Sequence, residues 1–250
     1  MQIFHASILD KDPVLLQESY NLRYQVYCLE RGFLPQADYP QHCEVDQFDA
    51  TSLHIGALNG YDELVGTVRL VHSSPVGFPM YKVCEIFPEV AQRLSGMSKL
   101  AEVSRLSISK HDRRHQGDCG ARPGTGGERR VGERRVGERH DNPSLIVSLY
   151  KAIYQTSKQA GITHLLAAME KSLLRLLLRY KFPFHAIGPE VDYFGPVTPY
   201  LLDLAELEQK LLQHHSPLLE ECQDGLEMQF WPTLPHHFSC GADRHEHNRF

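Results

Sequence analysis

The segment AEVSRLSIS, residues 101–109, places two ionisable side chains inside a run that reads as a β-strand. Small, apolar and polar residues alternate along it, which is typical of a strand with one buried face. A strand within a sheet accommodates Glu102 and Arg105 only where a partner or a cavity stabilises their charges. On a regular strand Glu102 and Ser104 point to one face and Arg105 to the other, unless a β-bulge reorients them.

The remaining hydrophobic pattern predicts a mixed α/β domain. A helix is predicted after the N-cap pair Asp12-Pro13, and a β-hairpin from residues 52–60 and 63–73. From residue 142 onward, helices and strands alternate and end in one amphipathic helix over residues 205–222, which implies some parallel strand pairing. We therefore expect an α/β fold in which helices flank a central, mixed, twisted sheet.

The composition is that of a globular protein, with 250 residues, a formal net charge of −5 and 42% hydrophobic residues. We expect no membrane span, because Arg175 interrupts the longest apolar run, near residues 172–178. The first residues lack the basic flank and apolar run of a secretory signal, so we expect a cytoplasmic protein. The six cysteines show no metal-ligand spacing, and we expect reduced thiols and no metal site.

A basic segment precedes the second half of the chain. Residues 110–140 hold nine Lys or Arg and five Asp or Glu, and GERRV occurs twice in tandem, at 127–131 and 132–136. The repeat has too few apolar residues to bury, so residues 116–140 are predicted to form a flexible Gly/Arg-rich loop. We assign residues 1–205 to one domain containing this loop, and residues 206–250 to a C-terminal helix and polar tail.

Other charged residues also occur within apolar stretches: Arg23, Glu44, Asp46, Asp49 and Arg69. Each of them taken alone is explained by a salt-bridge network that joins a loop to the sheet. A functional role competes with that explanation only when the whole set is considered.

Considered together, four motifs resemble the signature of the acyl-homoserine-lactone (autoinducer) synthases. They are R-x-x-V-Y from Arg23, E-x-D-x-F-D from Glu44, G-T-V-R-L from Gly66 and E-V-S-R-L from Glu102. Residues 162–201 resemble instead the acyltransferases associated with PEP-CTERM/exosortase systems, which are relatives of the N-acyl amino acid synthases. The combined resemblance covers roughly residues 10–205 and implies a GNAT-like acyltransferase fold.

The resemblance implies transfer of a fatty acyl group from a thioester to the amine of an amino acid or similar small molecule, without a cofactor. Glu102 matches the motif glutamate and would be the general base, with Ser104 donating or relaying a proton. Backbone N–H groups freed by a bulge would stabilise the oxyanion, and the acyl chain would lie near Leu165, Ala167 and Ala168. The residues that would orient the acceptor or brace the loop over it are Arg69, Glu44, Asp46, Asp49, Arg23 and Arg105.

The sequence departs from its relatives at Phe33, where the autoinducer synthases usually carry Trp, and it lacks the phosphate-binding loop of coenzyme-A-dependent GNAT enzymes. The second difference favours acyl carrier protein as donor. Because that partner has an acidic surface, we expect it to dock on basic residues. These are Lys110, Arg113, Arg114, Lys171, Arg175 and Arg179, of which the last three share one face of a predicted helix.

Three other functions remain open. The chain would be an acyl-homoserine-lactone synthase if S-adenosylmethionine is its acceptor, or a non-catalytic relative that binds lipid or carrier protein. Nucleic-acid binding through the Arg-rich loop is disfavoured, because residues 110–140 lack the aromatic side chains that stack on bases.

Overall fold

The structure, a computed structural model, describes residues 4–112 and 143–232. The strands within these ranges are β1 His5–Ile8, β2 Ser52–Leu58, β3 Leu64–His72, β4 Leu100–Ile108, β5 His164–Met169, β6 His185–Ala186, β7 Val191–Asp192 and β8 Pro196–Asp203. The α-helices are α1 Pro13–Tyr24, α2 Pro88–Ser95, α3 Pro143–Gln159, α4 Lys171–Arg179, α5 Leu204–Gln213 and α6 Pro217–Gln223. The predicted loop at 116–140 and the tail beyond residue 232 lie outside the described residues.

The described strands form one mostly antiparallel sheet in the order β1-β2-β3-β4-β5-β8-β6, with β7 paired to β8. The first four strands pair antiparallel with their neighbours. After β4 the chain passes through α3 and returns in β5, which pairs parallel to β4. The prediction of an α/β fold with helices flanking a central mixed sheet is therefore confirmed.

Helix α1 begins where the sequence indicates. The Asp12 side chain accepts hydrogen bonds from the N–H groups of Val14 and Leu15, at 3.0 and 3.1 Å, and Pro13 occupies the first turn. The helix continues directly into a six-residue π-helical segment, Gln25–Glu30. A π-helical turn shifts the register of the side chains that follow it, and it therefore determines where the residues of this segment point.

Two irregularities open the sheet around β4. Opposite Val68 on β3, β4 has two residues, Arg105 and Leu106, which is a β-bulge, and Arg105 adopts a left-handed backbone conformation with φ of 53°. On its other edge β4 pairs with β5 only over Leu100–Glu102, although β4 continues to Ile108. The two strands therefore part beyond Glu102.

Apolar side chains form a core on each face of the sheet. The larger core lies against α3, α4, α5 and α6, and both Ala101 and Val103 of β4 point into it. The smaller core surrounds Phe48 and Met80 and receives Leu100 of β4. Because side chains alternate along a strand, Glu102 points to the smaller core.

Two features differ from the predicted elements. The short edge strand β1 was not predicted, because four residues carry too little periodicity to be recognised. The single predicted helix over 205–222 is two helices, separated at residues 214–216, where His215 has φ of 46° and Pro217 begins α6. The proposed boundary at residue 205 stays a prediction; leucines of α5 and α6 pack in the larger core with α3.

Gly188 fixes the segment before β7 against the loop that follows β3. A Cβ at this position would collide with the carbonyl oxygen of Glu85, and the N–H of Phe87 donates to the carbonyl of Ile187 at 2.9 Å. The close approach therefore requires a glycine.

We expect Gly188→Ala to lower the free energy of unfolding by about 1–3 kcal/mol, because the added methyl group forces two backbones apart. Gly96→Ala is the matched control, since its Cβ would meet the nearest carbonyl oxygen at an ordinary 3.7 Å. Urea unfolding followed by circular dichroism measures both. Equal stability of the two variants would show that the two segments are not held as described.

Candidate active site

Three arginines and three carboxylates form a closed ring of ion pairs, which we call the ion ring: Arg23, Glu44, Arg105, Asp46, Arg69 and Asp49. Arg23 binds Glu44 at 2.6 Å and Asp49 at 2.7 Å. Arg105 joins Glu44 to Asp46, each at 3.1 Å. Arg69 closes the ring through Asp46 at 2.6 Å and Asp49 at 2.9 Å. Positive and negative charges alternate and cancel around the ring.

The ring is buried, and its paired charges shift the pKa values of its members. The side chains of Arg23, Glu44 and Arg69 are at most 1% exposed. Burial alone would lower the pKa of Arg23, but the carboxylates of Asp49 and Glu44 raise it above its usual range. Burial would likewise raise the pKa of Asp49, yet hydrogen bonds from His54 and Arg23 hold it well below its usual range. Arg23 and Asp49 are therefore held in their charged forms.

The β4 bulge brings Arg105 into the ring. On a regular strand Arg105 would point away from Ser104. Here both side chains reach the face of the sheet that carries the ring: Ser104 accepts a hydrogen bond from Arg69 Nε at 3.1 Å, and Arg105 pairs with Glu44 and Asp46. The bulge therefore reorients Arg105 to the same side of the strand as Ser104. The ring joins α1 and the loop at residues 44–49 to β3 and β4.

His54 extends the ring and was missed in the sequence. Its two ring nitrogens lie 3.0 Å from Asp10 and 3.1 Å from Asp49. Although burial lowers the pKa of His54, hydrogen bonds to Asp10 and Asp49 raise it above its usual value. The signal was available in SLHIGAL, where His54 occupies the opposite face from Leu53 and Ile55 and lies across from Arg69 in the sheet.

Glu102 stands apart from the ring. Its carboxyl accepts a hydrogen bond from the backbone N–H of Met80 at 3.0 Å, and within the described residues no arginine lies within ion-pair distance of it. The side chain is 2% exposed. Burial raises the pKa of Glu102 to about 8, against the opposing effects of the Met80 N–H, Arg69 and Arg105. It is a carboxyl that both binds and releases a proton near neutral pH.

Glu102 lines a cavity of about 140 Å³ at the gap between β4 and β5. One wall comes from the bulged part of β4, residues 102–106, and the other from residues 167–170 at the end of β5. Pro79 and Met80 close it on the side of the smaller core, and Tyr150 and Leu173 on the side of the larger core. The cavity therefore passes through the sheet where the two strands part.

Four aromatic side chains form one part of the cavity wall. Phe33 stacks on Phe194 with ring centroids 5.0 Å apart, and Tyr193 and Tyr27 pack beside them. All four line the cavity. They bring together the segment after α1 and the turn before β8, which are far apart in the sequence.

The predicted site residues lie in three places: the cavity wall, the ion ring behind it and the larger core. Glu102, Ser104 and Arg105 line the cavity, whereas Arg23, Glu44, Asp46, Asp49 and Arg69 lie behind it in the ion ring. Of the residues expected along the acyl chain, Ala167 and Ala168 line the cavity, while Leu165 packs in the larger core.

The predicted docking residues lie at the surface where the structure describes them. Lys110 is exposed just after β4, and Arg113 and Arg114 lie outside the described residues. On α4, Lys171 forms an exposed ion pair with Glu190 at 2.8 Å, and Arg175 and Arg179 are exposed beside it. Leu173, on the inner face of the same helix, lines the cavity. The helix that carries the basic face therefore also contributes to the cavity wall.

A second cavity, of about 540 Å³, lies on the face of the sheet that carries the smaller core, between residues 73–86 and α2. Its lining is mostly apolar, and it includes Tyr81 and Cys84, whose pKa values are raised by burial. Neither group accepts protons at neutral pH. The smaller cavity, which contains Glu102, is therefore the better candidate for proton-transfer chemistry.

Within residues 4–112 and 143–232, no cluster of three or more His, Cys, Asp or Glu side chains is arranged to bind a metal ion. In the same ranges no helix has the length and hydrophobicity needed to cross a bilayer.

This is a GNAT-like fold, and residues 22–120 match the family described as an acetyltransferase (GNAT) domain. No curated protein matches the chain in sequence.

Three solved structures share this fold with the chain at low sequence identity. FeeM, an N-acyl amino acid synthase from uncultured soil microbes, has a TM-score of 0.55 and 18% identity, over 86% of this chain and 99% of its own. The acyl-homoserine-lactone synthase LasI has a TM-score of 0.53 and 17% identity, over 82% and 90%. BjaI, a coenzyme-A-dependent acyl-homoserine lactone synthase solved with SAM and isopentyl-CoA, has a TM-score of 0.57 and 20% identity, over 87% and 91%.

We expect Glu44→Gln to lower the free energy of unfolding by about 3–5 kcal/mol, because it leaves two buried guanidinium groups short of a counter-charge. Glu190→Gln removes an exposed ion pair and should cost at most about 1 kcal/mol. Chemical denaturation of the two variants gives the comparison. A loss at Glu44 no larger than that at Glu190 would contradict the closed ion ring.

Proposed function

We propose that this protein is an N-acyltransferase that moves a fatty acyl group from acyl carrier protein to the amine of an amino acid or a similar small molecule. The observation that carries the proposal is Glu102, a buried carboxyl with a pKa of about 8 that lines a cavity between two parting strands. The shared fold of FeeM, an N-acyl amino acid synthase, supports it. The sequence motifs of residues 162–201 support the proposal that the protein is related to the PEP-CTERM/exosortase-associated acyltransferases. We also propose a cytoplasmic location.

Glu102 is suited to accept a proton from the acceptor. An α-amino group has a pKa of about 7.7–8.0, close to that of Glu102, so proton transfer between them is nearly balanced in free energy. Once neutral, the amine nitrogen attacks the thioester carbonyl carbon and forms a C–N bond. Collapse of the tetrahedral intermediate breaks the C–S bond, and the released thiolate takes a proton from the protonated Glu102. The carboxylate restored in this way accepts the second proton of the attacking nitrogen and passes it to solvent, which leaves a neutral amide.

The bulge supplies groups for the oxyanion. Arg105 and Leu106 turn away from the regular ladder at the cavity wall, so their backbone N–H groups are candidates for stabilising the developing negative charge. The Ser104 hydroxyl accepts from Arg69, which leaves its own proton available to donate. The Ser104 role as proton donor or relay is part of the proposal.

The ion ring holds this arrangement in place. Of the six residues predicted to bind the acceptor, Arg105 lines the cavity, and we propose that it contacts the acceptor there. The other five brace β4 and the loop at 44–49, because they are paired within the ring and do not line the cavity. Arg105 is paired as well, but its side chain is 14% exposed, against 1% for Arg23 and Arg69. A paired buried charge has little capacity left for a substrate.

We propose that the donor protein docks on the exposed basic face of α4. The inner side of this helix lines the cavity, so a thioester carried on a flexible arm would reach Glu102 from there. BjaI is a coenzyme-A-dependent synthase, so the same fold also serves coenzyme A.

Acyl-homoserine-lactone synthesis is the second candidate. The shared fold of LasI and BjaI favours it as much as that of FeeM favours the first candidate. The products separate the two: incubation with acyl carrier protein thioesters should yield N-acyl amino acids by mass spectrometry in the first case. A lactone together with methylthioadenosine, formed only when S-adenosylmethionine is added, would establish the second.

Glu102→Gln should lower kcat/KM by about 10²–10⁴, because the amide cannot accept a proton. Since the base works as carboxylate, the wild-type rate should rise as the pH increases towards about 8. The variant should fall furthest below wild type near pH 7, where only a minority of α-amino groups is already neutral. Glu89→Gln on α2, exposed and away from the cavity, is the control and should retain the wild-type profile. An unchanged rate in Glu102→Gln would remove this residue from the reaction.

Arg175→Glu and Arg179→Glu should each raise KM for the acyl carrier protein thioester about tenfold, because each reverses a charge facing an acidic partner. A small thioester with the same acyl group should be affected much less. Arg93→Glu, exposed on α2, provides a matched charge reversal on another surface. Steady-state kinetics with both donors decide the matter, and equal KM changes at Arg93 and Arg175 would exclude a specific docking face.

A further inference from the structure

Tyr150 lines the part of the cavity whose other residues are apolar. It lies on α3 and is 2% exposed. Its ring packs edge-on against Phe182 and Phe184, with centroids 5.4 and 6.3 Å away. Burial raises the pKa of Tyr150 above its usual value, so the phenol is a neutral hydrogen-bond donor and acceptor.

This hydroxyl makes no hydrogen bond to any described residue. The contrast is Tyr154, one turn further along α3, whose hydroxyl donates to Glu208 at 2.9 Å. Buried tyrosine hydroxyls normally have a partner, because an unsatisfied polar group in an apolar environment is unfavourable. Tyr150 also lines the cavity that contains Glu102. Its missing partner is therefore expected inside that cavity.

Glu102 and Tyr150 lie on opposite sides of the sheet. Glu102 points to the smaller core, whereas Tyr150 belongs to the larger core with Val103 and Ala167. A ligand that reacts beside Glu102 and extends through the gap between β4 and β5 would therefore run past Tyr150. The other lining residues of the larger core are apolar: Val103, Ala167, Met169 and Leu173. They suit the hydrocarbon part of such a ligand.

We propose that Tyr150 determines acyl specificity by hydrogen-bonding an oxygen substituent on the acyl chain, so that the preferred donor carries a hydroxy- or keto-acyl group. The inference rests on the proposed acyl transfer. An unsubstituted chain fills the same apolar slot but leaves the phenol unpaired. A site built around a hydrogen bond rejects the ligand that lacks the matching group.

The test compares Tyr150→Phe with Tyr154→Phe, which removes a hydroxyl from the same helix but away from the cavity. The donors are acyl carrier protein thioesters of one chain length, either unsubstituted or with one hydroxyl or keto group at successive carbons. Wild type should prefer one substituted donor, and Tyr150→Phe should lower its kcat/KM about tenfold to a hundredfold while leaving the unsubstituted donor within about twofold. Tyr154→Phe should keep the preference.

Binding provides a readout that does not depend on turnover. Thermal unfolding is measured with the corresponding free fatty acids, substituted and unsubstituted. Wild type and Tyr154→Phe should be stabilised more by the substituted acid, and Tyr150→Phe equally by both. In the absence of ligand, Tyr150→Phe should unfold at a temperature no lower than wild type, whereas Tyr154→Phe loses a hydrogen bond and should unfold earlier.

The outcomes separate the two proposals. If no amide or lactone forms with any donor, the proposed acyl transfer fails, and the binding preference alone decides the role of Tyr150. If wild type turns over or binds substituted and unsubstituted chains equally, or if Tyr150→Phe weakens both equally, the inference about Tyr150 is overturned while the proposed acyl transfer stands.

Discussion

The structure around the cavity depends on the ion ring. Each arginine of the ion ring binds two carboxylates and each carboxylate binds two arginines, so removing any member leaves two neighbours incompletely paired. Isolated buried ion pairs contribute little net stability, but a fully satisfied network specifies one arrangement of the segments that it joins. Here it fixes α1 and the loop at 44–49 against β3 and β4. The bulge in β4, with Arg105 in a left-handed conformation, is held by that arrangement.

The same balance explains why Glu102 differs from the other carboxyls nearby. The guanidinium groups of Arg69 and Arg105 are already paired, so they only partly offset the burial that raises the pKa of Glu102. The six side chains of the ion ring thus brace the wall, and one carboxyl with a pKa of about 8 faces the cavity. Separation of structural charges from a titratable one is what acid–base chemistry at neutral pH requires.

Much of the fold was predictable, because it follows from local signals. The N-cap at Asp12, the hairpin of β2 and β3, and the crossover from β4 through α3 to β5 all have their own sequence patterns. The ring residues were also identifiable as charged positions in apolar runs, although their closure into a ring was not, because it depends on contacts between residues up to 61 positions apart. The roles of His54 and Tyr150 were missed for a related reason. A histidine in a strand and a tyrosine in an amphipathic helix look like ordinary core residues until their three-dimensional partners, or the lack of them, are known.

Buried ion pairs of the ion ring and exposed charges on α4 should respond differently to salt. Mobile ions screen charges that face the solvent over about 10 Å at 0.1 M ionic strength, but they have little access to pairs enclosed by protein. Arg175 and Arg179 belong to the first kind, and Arg23 with its partners to the second. Rising ionic strength would therefore weaken the proposed docking of a partner protein on α4 at salt concentrations that leave the wall around Glu102 intact. Delivery of the proposed donor would then respond to the medium, while the cavity keeps its shape.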